Sequence, residues 1–216
     1  RSLKDLHDKT IGISRFGSGS HIMSFLLAER EHWYKQENDT GSNETATQSE
    51  ENDHSLTVKF EPCGGLDDLR EGIRTEKIDT FLWERFMLKH FIDEGELNYL
   101  GEIVTPWPCF MIAARNDVTN ARSDQVERLL DAIRECCDLF YQNKSWSLDF
   151  VSKACHLSLD DAEKWFNTVE FAKQPKSVSP AMLEETMNTL LRTKALAKSV
   201  SPSRIYNGMF SDVKDV

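Results

Sequence analysis

Two rhythms of apolar and polar residues run along this chain. Short apolar runs at residues 11–14, 56–60, 78–83 and 109–114 each fit a strand. Segments with a 3.6-residue repeat lie between them, at residues 20–34, 66–75 and 85–94. The first carries Ile22, Met23, Phe25, Leu26 and Leu27; the second places Leu66, Leu69 and Ile73 on one face. Residues 3–7 lead into the first strand. The order β-α-β-α-β-α-β predicts an α/β fold around a mainly parallel sheet, with helices on its faces.

After Asn116 the strand rhythm stops. Residues 123–142 read as one long helix with a core-facing stripe of Leu129, Leu130, Ile133 and Cys137. A second helix spans 147–155. A third opens at Ser158, with Asp161 at the capping-box position and Trp165 and Phe166 facing a core. A fourth begins with Pro180 at its first position and runs to about residue 192. The tail from residue 198 is polar. This half contributes no predicted strand, so its helices need another layer to pack on. Two further stretches stand apart. Residues 36–53 hold no large apolar side chain, which predicts a disordered acidic insertion over about 36–54. Pro106 and Pro108 flank Trp107 and exclude both a helix and a centrally paired strand there.

Composition narrows the partners. The 216 residues suit one large or two small domains, and 39% hydrophobic content is enough for a core. A formal charge of −10 argues against a nucleic-acid backbone or an anionic membrane as partner. No apolar run reaches membrane-spanning length, and no signal peptide is visible. The chain begins at Arg1, which suggests processing, a tag or a missing upstream part. Cys63, Cys109, Cys136, Cys137 and Cys155 show no CxxC spacing, so no zinc site, metal or cofactor is expected. Free, mostly buried thiols in a reducing, cytoplasmic compartment is the reading they support.

Candidate chemistry sits where strands end and helices begin. At Phe16-Gly17-Ser18-Gly19-Ser20-His21, glycines leave the backbone uncovered and the first turn of a helix offers N–H groups to a polar or anionic molecule. The serines serve equally well as caps, and His21 reads either as a donor or as a solvent-facing first-turn residue. Arg15 is a candidate anion partner or a plain surface arginine. Gly64 and Gly65 form a second turn with accessible N–H groups, or a plain connector. At the end of the third strand Trp83 can stack on a planar ligand and Glu84 can accept an N–H, unless Trp83 is core. Trp107, held between prolines, is a further aromatic candidate. No nucleophilic triad is evident, because Ser18, Ser20 and His21 are only sequence neighbours.

Several segments carry a family resemblance. Asp8-Lys9-Thr10-Ile11-Gly12-Ile13 with its Gly/Ser turn resembles the second-domain entry of type II periplasmic binding proteins, nearest the nitrate, sulfonate and thiamine-pyrimidine-precursor binders. Leu66-Asp67-Asp68-Leu69-Arg70-Glu71-Gly72-Ile73, followed by Ile78-Asp79-Thr80-Phe81, is similar to their helix-Gly-strand unit. Gly95-Glu96-Leu97 with Leu100-Gly101-Glu102 resembles the return towards the hinge. Ser158-Leu159-Asp160-Asp161 and Met182-Leu183-Glu184-Glu185-Thr186 resemble helices of the C-terminal part. Trp83-Glu84 and Thr105-Pro106-Trp107-Pro108 look like a largely fungal branch.

The resemblance implies a two-lobe fold. Residues 1–105 would form lobe two, an α/β unit with a parallel-rich sheet. Residues 106–216 would be the hinge return and the helical C-terminal part of lobe one, whose start would lie upstream or in a partner. It also implies a non-catalytic role: binding a small polar or heteroaromatic molecule, such as a thiamine pyrimidine precursor, in a cleft between lobes flanked by Trp83 and Trp107. Two alternatives stand. One is an enzyme making that precursor, although the family enzyme carries a cysteine-rich iron-site motif that this chain lacks. The other is an interaction protein that docks through its acidic loop.

Overall fold

Thr10–Ile13 forms β1, the central strand of a three-stranded parallel sheet ordered β2-β1-β3. The computed structural model describes residues 2–33, 57–171, 175–193, 195–201, 204–205 and 212–213. The expected acidic insertion lies outside them. β2 spans Lys59–Pro62 and pairs with β1 over its whole length, Thr10 opposite Lys59 and Ile13 opposite Pro62. β3 is only Thr80–Phe81, opposite Ile11 and Gly12.

Gly19–Arg30 forms α1 and Leu66–Arg74 forms α2, and they cover opposite faces of this sheet. On one face, Ile11 packs with Leu6, Leu27, Ala28 and Trp33 in a closed core. On the other, Gly12 lies under α2: a Cβ there would stand 2.3 Å from Ile78 and 2.8 Å from Leu69. Adjacent strand residues point to opposite faces, so Ile11 and Gly12 serve the two helices in turn. With strand order β2-β1-β3, right-handed crossovers require this two-sided arrangement.

Both flanking strands are shorter than their apolar runs. Thr57 donates its N–H to Trp33 O at 3.1 Å, so the start of the run is tied to the exit of α1 rather than to the ladder. Ile78 is buried, yet its N–H goes to Gly72 O at 3.2 Å, in the turn leaving α2.

The chain divides into two compact units: Arg1–Trp83 with Tyr99–Val104, and Glu84–Asn98 with Thr105–Val216. The second unit is mainly helical. It holds α3 (Arg85–Asp93), α4 (Asn116–Ala121), α5 (Ser123–Gln142), α6 (Lys144–Cys155), α7 (Leu159–Phe166) and α8 (Pro180–Arg192). Val151, Leu157 and Ala162 form its core, packed by Phe86, Phe140, Leu148 and Trp165. Phe166 stacks on Phe140, and the Tyr141 hydroxyl ties α5 to Val169 O and Phe171 N–H. Two short strands not expected from sequence, β4 (Ser177–Val178) and β5 (Asp212–Val213), pair in parallel.

Three expectations fail here. Residues 109–114 form no strand, and Phe110 is 92% exposed. Pro106 and Pro108 remove two donors just upstream, and among the described residues no strand lies alongside to complete a ladder. In the α5 stripe Leu130 is buried, but Leu129 is exposed, because only one line of that helix meets neighbours. The five cysteines are free, and none is buried: Cys109, Cys136 and Cys155 are exposed, and Cys63 and Cys137 are intermediate.

Candidate functional site

The carboxyl ends of three adjacent parallel strands lie along one edge of the first unit's sheet, and each leads into a candidate segment. β1 runs into the Arg15–Ser18 turn and α1, β2 into Cys63-Gly64-Gly65 and α2, and β3 into Trp83. Cys63 N–H still donates to Ile13 O at 2.8 Å, which sets the first two corners side by side.

At the β1–α1 corner the serines are committed inward. Ser18 is 4% exposed and caps α1, its Oγ accepting His21 N–H at 3.3 Å. Its hydroxyl also lies 3.0 Å from Ser20 Oγ, which accepts Ser14 N–H at 3.3 Å. The turn is closed by Ser18 N–H to Arg15 O at 3.1 Å, with Gly17 at φ +74°, a left-handed position that a side chain would strain. Gly19 is exposed with open space around its α-carbon. Arg15 is exposed beside it, and the first turn of α1 carries no acid. The corner is therefore electropositive and offers backbone N–H groups rather than hydroxyls.

The His21 ring is neither solvent-facing nor bonded to a serine. His21 is 7% exposed, and its Nδ1 accepts Gly17 N–H at 3.1 Å. The neutral ring then carries its proton on Nε2. Burial holds its pKa below the usual histidine value.

The β2–α2 corner has the opposite character. Gly64 adopts φ +113°, and a Cβ on it would lie 2.6 Å from the Asp68 carboxylate. That carboxylate accepts Gly65 N–H at 2.8 Å. Asp67 and Asp68 both occupy the first turn of α2 and fill the place where a helix would attract an anion. Burial pushes the Cys63 thiol pKa up, so it is a thiol and not a thiolate at neutral pH.

Trp83 is half-buried just past β3. Glu84 and Trp107 fall in the second unit. Glu84 is spent as the N-cap of α3, its Oε2 accepting Met87 N–H at 2.7 Å. Trp107 is half-buried in its proline-flanked segment, where Thr105 Oγ1 and Cys109 Sγ lie 3.1 Å apart. The first unit thus unites Arg15, Ser18, Gly19, Ser20, His21, Gly64, Gly65 and Trp83 on one sheet edge.

Residues 1–103, just under half of the chain, match a family model described as Ca3427-like PBP. A solved structure of the Candida albicans CA3427 gene product superposes with a TM-score of 0.72 at 24% identity, covering 96% of this chain. That structure is described as defining a new family with the generic periplasmic binding protein fold. This chain has the periplasmic binding protein fold. It spans 63% of the length of that structure. No curated protein matches it. Among the described residues no helix is long and apolar enough to cross a membrane.

Within this fold, two features of the sheet edge were not singled out from sequence. One is the ring of Phe16, Phe25 and Phe60 around His21. The i, i+4 spacing of His21 and Phe25 hinted at their contact, but Phe60 arrives only through strand pairing. The other is Asp68, which reverses the charge of the second corner; two acids at a helix start were the available sign.

Proposed function

We propose that this chain is a non-catalytic binder of a small polar or heteroaromatic molecule, with a pyrimidine of the thiamine-precursor type as the working ligand. The observation that carries the proposal is the convergence of three loops on the carboxyl edge of one parallel sheet. In open α/β sheets ligands settle at that edge, where neighbouring loops diverge. With order β2-β1-β3 the divergence falls between β1 and β3, which here means between the Arg15–His21 corner and Trp83.

The chemistry of the edge supports a ligand with two unlike ends. The N–H groups and Arg15 at the α1 corner suit an acceptor or anionic group. Asp67 and Asp68 at the α2 corner suit a donor such as an exocyclic amine. Trp83 offers a face on which a flat ring can stack. Hydrolytic chemistry has little support, since the Nδ1 lone pair of His21 is taken by Gly17 and both serine hydroxyls are held within the turn.

An aminopyrimidine titrated into the protein is expected to quench tryptophan fluorescence saturably, and Trp83→Ala to abolish the quench. A saturable quench that survives Trp83→Ala removes this sheet edge as the site. A thermal-shift panel of vitamin precursors, sulfonates and purines assigns the ligand class.

A further inference from the structure

His21 stands at the centre of an aromatic enclosure. Phe16, Phe25 and Phe60 meet its ring edge-on, with centroids 5.4, 5.0 and 4.8 Å away. Phe25 and Phe60 close on each other at 5.0 Å. Phe16, the outermost ring, is 63% exposed and adjoins Gly17. The only side-chain bond to the Gly17 amide among the described residues is the one from Nδ1. One imidazole therefore joins the core of the unit to the tip of the corner.

We infer that His21 is a positioning residue for this corner: the neutral ring holds Gly17 and Phe16 in place, and a proton on Nδ1 releases them. A protonated Nδ1 has no lone pair, so two N–H donors would face each other across 3.1 Å. Among the described residues, the elements packed on the ring turn no carboxylate towards the imidazolium. Arg15, on the corner itself, is a cation. The first turn of α1 contains no acid. Lys59 and Glu61 flank Phe60 on β2 but alternate to the other face, where Glu61 pairs with Lys77 at 2.8 Å. β1 presents only Ile11 and Ile13 to this side. The cost of the charge is met by opening the turn, and burial already places the titration below that of a free histidine. Where the corner captures a ligand, as proposed above, capture weakens in acid.

The test needs no ligand, so it succeeds or fails independently of the binding proposal. Long-range proton–nitrogen spectra of the 15N-labelled full chain report the His21 tautomer, and hydrogen exchange reports the Gly17 amide. At neutral pH the ring is expected to be the Nε2–H form. As the pH falls below about 6.5, Gly17 protection should drop roughly fivefold to tenfold against its unstructured rate, while the Leu27 and Ala28 amides keep theirs. His21→Asn, whose side-chain oxygen can replace Nδ1 as acceptor without titrating, should keep Gly17 protected and remove the pH dependence. An Nδ1–H tautomer in the unmodified chain overturns the inference. So does Gly17 protection that stays constant through the His21 titration.

Discussion

Gly12 shows how one missing side chain permits the packing of the first unit. It sits on the central strand where Ile78, 3% exposed, and Leu69, fully buried, close over it. A methyl group there would lie 2.3 Å from Ile78 Cδ1 and 2.8 Å from Leu69 Cδ2, and neither side chain has solvent to move into. Gly12→Ala is expected to cost about 1–3 kcal/mol by urea unfolding, the usual penalty of overpacking. Ile78→Val, which removes the nearer carbon, should recover part of that loss in the double variant. Full additivity of the two losses would place the clash elsewhere. The apolar pattern around Ile11 and Ile13 was legible in sequence. That Gly12 is small because α2 presses on it was not, since the pressure comes from residues more than fifty positions away.

At the scale of elements, capping decides where helices begin. Ser158 was recognisable as the N-cap of α7, with Asp161 three residues on. The structure realises the cap but not the reciprocal backbone bond of a capping box: Asp161 N–H donates to Ser158 Oγ at 3.1 Å, and Ser158 Oγ in turn donates to the Asp161 carboxylate at 2.8 Å. That donation, with Lys89 and Lys164 nearby, holds the Asp161 pKa below the usual aspartate value. A carboxyl with a lowered folded pKa contributes stability above its unfolded value and loses it as pH falls through the folded value. Ser158→Ala should therefore cost about 1 kcal/mol at pH 7. The gap to the unmodified protein should shrink below about pH 4. A gap that is constant with pH would mean that the hydroxyl serves the backbone alone. The run at residues 109–114 is the counter-example at this scale. Its composition is that of a strand, but a strand exists only with a ladder partner, and composition cannot supply one.

For the whole molecule, the segment between α1 and β2 offers the clearest test. Trp33 O accepts Thr57 N–H at 3.1 Å, so the two ends of residues 34–56 are already joined in space. Deleting residues 36–53 leaves a connection long enough for that join and shortens the loop roughly fourfold. Loop-closure entropy then predicts a gain of about 1 kcal/mol in unfolding free energy, with aminopyrimidine response unchanged. A loss of stability or of ligand response would assign the acidic segment a structural or binding role. Local rhythm was enough to read the α/β order of the first unit, the helical character of the second and most helix starts, because periodicity and caps act over a few residues. The contacts that build the sheet edge join positions far apart in the chain. Parallel pairing set Cys63 beside Ile13, and Phe60 beside the His21 ring. Charge at the second corner followed from where Asp68 folds back. Backbone N–H groups, not the conspicuous serine hydroxyls, became the open donors of the first corner, because burying Ser18 obliged its hydroxyl to find partners within the turn.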